Sequence, residues 1–221
     1  MKDIYTDVTI SSALGFKGGT CVYFFYGLQR FSVDLDFDLL LNNGKNQKIV
    51  FRKIENILEK YGIIKDKYIK RYTIFMLLSY GNEDHNIKIE ISTRETSFPI
   101  RNNYILKKYL GISMLVAKKD YLFASKLAAL TLRSETAMRD VYDIYFFAKN
   151  SWEINEEVLM AFTGKTITEH LADCIAVVQK IKDNQILQGL GEVLNENEKL
   201  WVKKNLRSEV LFMLNNYISV I

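Results

Sequence analysis

At 221 residues the chain is long enough for one generous domain or for two small ones that share an interface. Its hydrophobic share of 48% and charged share of 25% are ordinary for a globular protein and exclude a disordered chain. The formal charge of +4 is a mild basic excess that suits a nucleotide or RNA partner without requiring one.

Cys21 and Cys174 stand far apart, with no CxxC pairing. That pattern argues for a reducing compartment and against a disulfide framework or a zinc site. Cys21, inside the apolar run Cys21-Val22-Tyr23-Phe24-Phe25-Tyr26, reads as a buried, inert thiol. Met1 to Tyr5 carries charges of both signs and leads into no secretory apolar stretch. No segment approaches the roughly 20 apolar residues of a membrane span. The expectation is a soluble, cytoplasmic protein with no membrane partner.

In chain order, Ile4 to Leu14 suits a helix or a helix–strand junction, and Gly15 to Thr20 is a glycine-rich turn. A helix then begins at the turn and runs from Thr20 to Tyr26. From Phe31 to Leu41 the residues alternate, with Phe31, Val33, Leu35, Phe37 and Leu39 apolar. Ser32, Asp34, Asp36 and Asp38 fill the other positions, as in a strand with one dry and one wet face. Asn42-Asn43-Gly44 ends that strand. Helical spacing returns between Ile49 and Lys60. Tyr72–Tyr80 and Ile87–Ser92 read as two strands joined by Gly81-Asn82-Glu83-Asp84. Lys65, Lys67, Lys70 and Arg71 form a basic cluster before the first of these, read as a solvated face. The interval from Lys118 to Lys149 has neither Gly nor Pro. It suggests a helix capped by Asp120 and running to about Arg133, then another over Ala137–Lys149. The rest is amphipathic and helical. The expected fold is α+β, with a mixed-sheet domain over residues 1–111 and a helical domain over 112–221.

Two features carry chemistry. Gly18-Gly19-Thr20 opens a helix, so its backbone amides and the positive helix end can hold a triphosphate, with the Thr20 hydroxyl aimed at the same group. A tight turn with no ligand accounts for the same residues, and the Gly-x4-Gly-Lys-Ser/Thr pattern of P-loops is absent. Asp34 and Asp36 share a strand face, where their repulsion can be offset by solvent or, more effectively, by Mg²⁺. Glu90 alternates with Ile87, Ile89 and Ile91 and reads either as a wet-face glutamate or as a third carboxylate. Three such groups could clamp two metals for in-line nucleotidyl transfer. Of the other notable residues, His85 and His170 have no partner at ligand spacing. Tyr23, Phe24, Phe25 and Tyr26 suit a core better than a base-stacking platform.

A Gly-Gly-Thr loop, a helix and Asp-x-Asp on a strand together resemble the signature of the nucleotidyltransferase superfamily typified by polymerase beta. Phe16-Lys17-Gly18-Gly19-Thr20 followed by Tyr26-Gly27-Leu28-Gln29-Arg30-Phe31-Ser32-Val33-Asp34-Leu35-Asp36-Phe37 more closely resembles the AbiEii/AbiGii toxin family, which includes the MenT group. A second block supports this: Ala124-Ser125-Lys126-Leu127-Ala128-Ala129-Leu130, then Arg133, then Arg139-Asp140-Val141-Tyr142-Asp143. The resemblance spans about residues 14 to 148 and gives the last third of the chain no motif.

The resemblance implies that Asp34 and Asp36 are the metal pair, with Glu90 as the third carboxylate. It places Lys17, Gly18, Gly19, Thr20 and Ser32 at the nucleotide, Ser32 beside the metal. Lys126 matches a lysine that touches nucleotide phosphates, Arg133 shares its helix face, and Asp140 matches the second-block aspartate. Asp140 and Asp143, one turn apart, could hold Lys126 or Arg133 in place. The helical domain would complete the nucleotide site. The implied activity is Mg²⁺-dependent (or Mn²⁺-dependent) transfer of a nucleoside monophosphate from an NTP to an acceptor, for some members the 3′ end of tRNA. The implied setting is a toxin–antitoxin or abortive-infection system with a cognate antitoxin. A protein-modifying transferase, acting on a hydroxyl such as that of Ser32, and a silent antitoxin-binding module are the alternatives.

Overall fold

The computed structural model describes residues 1–81 and 85–220, and part of the expected Gly81–Asp84 turn lies outside them. The chain forms two compact units, Met1–Lys118 and Lys119–Ile221. This division falls later than the boundary expected after residue 111, because Ile112–Ala117 is a strand of the first unit.

The first unit contains α1 (Lys2–Thr6), β1 (Leu14–Lys17), α2 (Gly18–Tyr26), β2 (Leu35–Leu39) and α3 (Gly44–Leu58). They are followed by β3 (Ile63–Lys70), β4 (Thr73–Ser79), β5 (Asn86–Ser92), β6 (Tyr104–Tyr109) and β7 (Ile112–Ala117). The seven strands form one mixed sheet in the order β3-β4-β5-β2-β1-β7-β6. Alternation gives the sheet a dry face, on which Phe16, Phe37, Ile74, Met76, Ile89, Ile91 and Val116 are buried. They share one core with Ile4 and Tyr5 of α1, Cys21 of α2, and Val50, Ile54, Ile57 and Leu58 of α3. Phe24, Phe25 and Tyr26 pack against this core, as their apolar run suggested, whereas Tyr23 is 38% exposed and does not. Burial pushes the Cys21 thiol far up, so it is inert. The opposite face is left for polar side chains.

Two expectations for this unit are corrected. The strand read over Phe31–Leu41 is ordered as β only from Leu35 to Leu39, because the stretch before it is held by side chains instead of a ladder. Strands β3, β6 and β7 were not anticipated. β3 carries Lys65, Asp66, Lys67 and Lys70, the charge load of an edge strand, which hides its period. Its alternation also splits the basic cluster, since Lys67 pairs with Glu55 of α3 while Lys70 sits on the polar face. β6 and β7 form a hairpin about Leu110-Gly111, whose φ values of 47° and 78° match a two-residue primed turn.

The second unit is helical: α4 (Lys119–Leu132), α5 (Met138–Lys149), α6 (Glu156–Thr163), α7 (Ile167–Gln179) and α8 (Glu196–Val220). α4 packs on α5, α6 and α7, and α8 on α5 and α7. Phe123, Leu127, Ile144, Phe147, Leu171, Val202, Leu206 and Val210 are buried there. A capping box between Thr166 and Glu169 starts α7. Asp120 does not cap α4. It stands in the first turn and accepts from Asn155 Nδ2 at 3.0 Å, which ties α4 to the start of α6. His170 is buried with Nε2 3.0 Å from the Leu127 carbonyl oxygen, and the Cys174 thiol, pushed up to about 12 by burial, points at the same oxygen. Both are core residues. Among the described residues no helix is long and apolar enough to cross a membrane.

Candidate active site

The glycine turn and the acidic strand are built against each other. Gly18 is the first residue of α2 and has φ +77°, a conformation that L side chains rarely adopt. A β-carbon there would lie 2.2 Å from Asp36 Oδ2, so the Asp36 carboxylate rests directly on Gly18. At Gly19 a β-carbon would meet Arg30 Nη2 at 2.7 Å and Ser32 Oγ at 2.9 Å. Two glycines are therefore needed for close approach, and the first also for its backbone. No side chain caps the start of α2, where Lys17 is the N-cap residue. Gly18→Ala is expected to cost about 1–2 kcal/mol from the left-handed backbone alone. The added methyl also displaces Asp36, so transfer activity should fall far more than a thermal melt does. Equal activity in that variant would separate Asp36 from the chemistry.

Thr20 departs from its expected role. It is buried, its Oγ1 donates to the Asp34 carbonyl oxygen at 2.5 Å, and it lies 3.0 Å from Ser32 Oγ. That hydroxyl organises the segment leading into β2 and is not directed at a phosphate. Arg30, which sequence reasoning passed over, is also buried, and its Nη1 donates to the Phe31 carbonyl oxygen at 3.2 Å. Nothing local in the sequence signals this, since its burial depends on α2 folding back over it.

Register then orders the acids. Lys17 pairs with Asp36 across β1 and β2, and Asp36 pairs with Glu90 across the parallel β2 and β5. The three side chains thus form a row on the polar face, Asp36 and Glu90 neighbours on adjacent strands. Asp34 precedes β2, and its Oδ1 accepts from the Lys88 backbone amide at 3.3 Å. The Lys88 ammonium lies 3.7 Å from both Asp34 Oδ2 and Glu90 Oε2. It compensates the charge of two of the three carboxylates. Period two on β5 puts Lys88 and Glu90 on one face, a signal that was present in the sequence and not used. Asp38 is different: it is buried, accepting from Lys17 Nζ and from Tyr104 Oη, each at 2.6 Å. It belongs to the structure of the sheet. Among the described residues no three His, Cys, Asp or Glu side chains converge closely enough to hold a metal ion.

In the helical unit, Lys126 of α4 lies 2.5 Å from Asp140 Oδ1 and 2.9 Å from Asp143 Oδ2. Arg133 Nη1 is 2.5 Å from Asp140 Oδ2. Both acids are buried, Asp143 completely, whereas the Arg133 side chain is 52% exposed. Asp140 thus touches both cations, and the second block reads as two cations held by two acids. Arg133, with five N–H donors and one of them on Asp140, keeps donors for an anion beyond that carboxylate.

A family model described as the nucleotidyl transferase AbiEii toxin of type IV toxin–antitoxin systems matches residues 2–206. Two crystal structures from Helicobacter pylori share the fold. One is assigned as a nucleotidyltransferase, with 21% identity, a TM-score of 0.61, and coverage of 100% of this chain and 92% of that one. The other, JHP933, has the same identity and TM-score and is covered over 89% of its length by all of this chain. No curated protein matches the sequence.

Proposed function

This chain belongs to the AbiEii nucleotidyltransferase toxin family of type IV toxin–antitoxin systems, and on that premise we propose that it transfers a nucleoside monophosphate from an NTP to the 3′ end of tRNA with Mg²⁺ as its metal. Membership makes it a nucleotidyltransferase that uses an NTP and a divalent metal and has an antitoxin partner. The observation that carries the finer reading is the packing of Asp36 on Gly18, in register with Glu90. It joins the glycine turn and the acids into one site.

In this reading the triphosphate approaches the uncapped start of α2, where the Gly18 and Gly19 amides and the positive helix end face it. Lys17, the residue before that turn, supplies a charge-assisted contact to phosphate oxygens. Asp34, Asp36 and Glu90 are hard oxygen donors, the kind that suits Mg²⁺, and to hold it they would have to draw closer together than they stand in the structure. The Lys88 ammonium between two of them marks where positive charge is called for. When bound, Mg²⁺ would supply Lewis-acid activation of the acceptor hydroxyl and neutralisation of the leaving pyrophosphate. The acceptor's 3′ oxygen forms a bond to the α-phosphorus, the bond from that phosphorus to the pyrophosphate oxygen breaks, and the hydroxyl proton passes to a carboxylate of the row. Ser32 and Thr20 hold the Asp34 segment in place for this.

Because Lys88 and a cation compete for the same carboxylates, Lys88→Met should lower the Mg²⁺ concentration for half-maximal thermal stabilisation about fivefold. An unchanged Mg²⁺ titration would show that the ammonium does not guard the acids.

The direct test incubates the purified chain with Mg²⁺, each α-labelled NTP in turn and total tRNA, beside Asp36→Ala. Label in RNA from the intact protein alone supports the proposal and names the base. Label on protein alone would replace it with a protein-modifying transferase.

A further inference from the structure

We infer that a cleft on the polar face of the sheet, beside Glu90 and reaching the β3 edge, seats the single-stranded 3′ end of the acceptor RNA; this rests on the nucleotidyl-transfer reading above. The register row that contains Asp36 and Glu90 continues outward: Glu90 pairs with Phe75 on β4, and Phe75 with Tyr68 on β3. The carboxylates and this aromatic pair therefore lie side by side on one face, at successive strand spacings of about 5 Å. The cleft, of about 350 Å³, is lined by Tyr68, Lys70, Arg71, Tyr72, Phe75 and Arg94, with Glu90 at its inner end. Such a volume suits one small ligand unit at a time.

Its chemistry is that of a single-strand binder. Tyr68 and Phe75 are stacked at 4.8 Å with 11° between their planes, a half-buried aromatic pair on a face otherwise given to polar groups. Tyr72 is 46% exposed. Cations rest on these rings: Lys70 Nζ lies 4.3 Å from the Tyr68 centroid, and the Arg71 and Arg94 guanidinium carbons lie 5.0 Å and 6.0 Å from that of Tyr72. Three cations against Glu90 leave the cleft net positive. An exposed cation–ring contact is weaker than a base stacked on the same ring. An incoming strand can thus take the ring faces with its bases while the displaced guanidinium groups turn to its phosphates. An acidic peptide would satisfy the charge and leave the rings unused, so RNA is the better match. The row geometry delivers the strand's terminal hydroxyl toward Glu90 and Asp36.

The test uses the full chain and a short single-stranded oligoribonucleotide with a 5′ fluorophore, followed by anisotropy over a range of salt. Tyr72→Ala should weaken binding about tenfold. Arg71→Glu with Arg94→Glu should weaken it by more than about a hundredfold and reduce the salt slope by about 1.4. Both variants should keep the native melting temperature and the native thermal shift with Mg²⁺ and NTP. Native-like RNA affinity in both variants overturns the inference. So does displacement of the RNA by an acidic peptide that binds Tyr72→Ala as well as the native chain. If the native chain labels tRNA and the variants do so with unchanged KM, the cleft assignment falls and the transfer reading stands. If RNA binding is variant-sensitive yet no RNA is labelled, the cleft stands and the acceptor reading falls.

Discussion

Asp36→Ala is expected to reduce nucleotidyl transfer by at least about a thousandfold while shifting a thermal melt by no more than a few degrees. The carboxylate is half-buried on the polar face, and no apolar core group depends on it. It lies on Gly18 and in register with Glu90, where the proposed function puts the triphosphate and the metal. Removing one preorganised charge from such a place typically costs several kcal/mol of transition-state stabilisation. Asp38→Ala, two residues along the same strand, provides the contrast. Its carboxylate is buried against Lys17 and Tyr104, and losing it should destabilise the first unit by about 3 kcal/mol. Chemical denaturation of the two variants beside a transfer assay checks both. Unfolding of Asp36→Ala, or full activity in it, would sink the assignment of that side chain to the chemistry.

The second large effect is expected at Asp140. Asp140→Ala strands Arg133, leaves Lys126 with Asp143 alone, and empties a buried acid site. Breaking a buried pair of this kind costs about 3–5 kcal/mol, and the 52% exposure of Arg133 puts the expected loss at the lower end. NTP affinity should fall about tenfold if Lys126 and Arg133 bind phosphate as the resemblance implies, because both cations lose the group that aligns them. Lys126→Ala should likewise weaken NTP binding more than metal binding. Urea melts with an NTP titration by thermal shift measure both quantities. Native NTP affinity in a folded Asp140→Ala protein would reduce Asp140 to a structural residue of the helical unit.

Both predictions concern residues whose pattern was visible in the sequence, and their roles divide where the tertiary structure intervenes. Period two showed Asp34, Asp36 and Asp38 as equivalent, since alternation along a strand carries no information about what stands opposite. Lys17 on the neighbouring β1 and Tyr104 at the start of β6 bury Asp38 and leave Asp36 to the open face. The same limit explains Thr20, whose residue type suits a phosphate contact but whose hydroxyl is spent on the Asp34 carbonyl.

The sequence by itself determined the α+β class, the glycine-led helix, the Asp34–Asp36 pair, the Lys126 helix and the Arg139–Asp143 block, and through these the family. Each is a local signal: a period, a turn residue, or a spacing within one element. Only the tertiary structure decided that Asp36 rests on Gly18, that Lys88 bridges Asp34 and Glu90, and that Tyr68 and Phe75 extend the row of acids into a cleft. Those relations join strands far apart along the chain, and strand register is set by the packing of a whole dry face into one core.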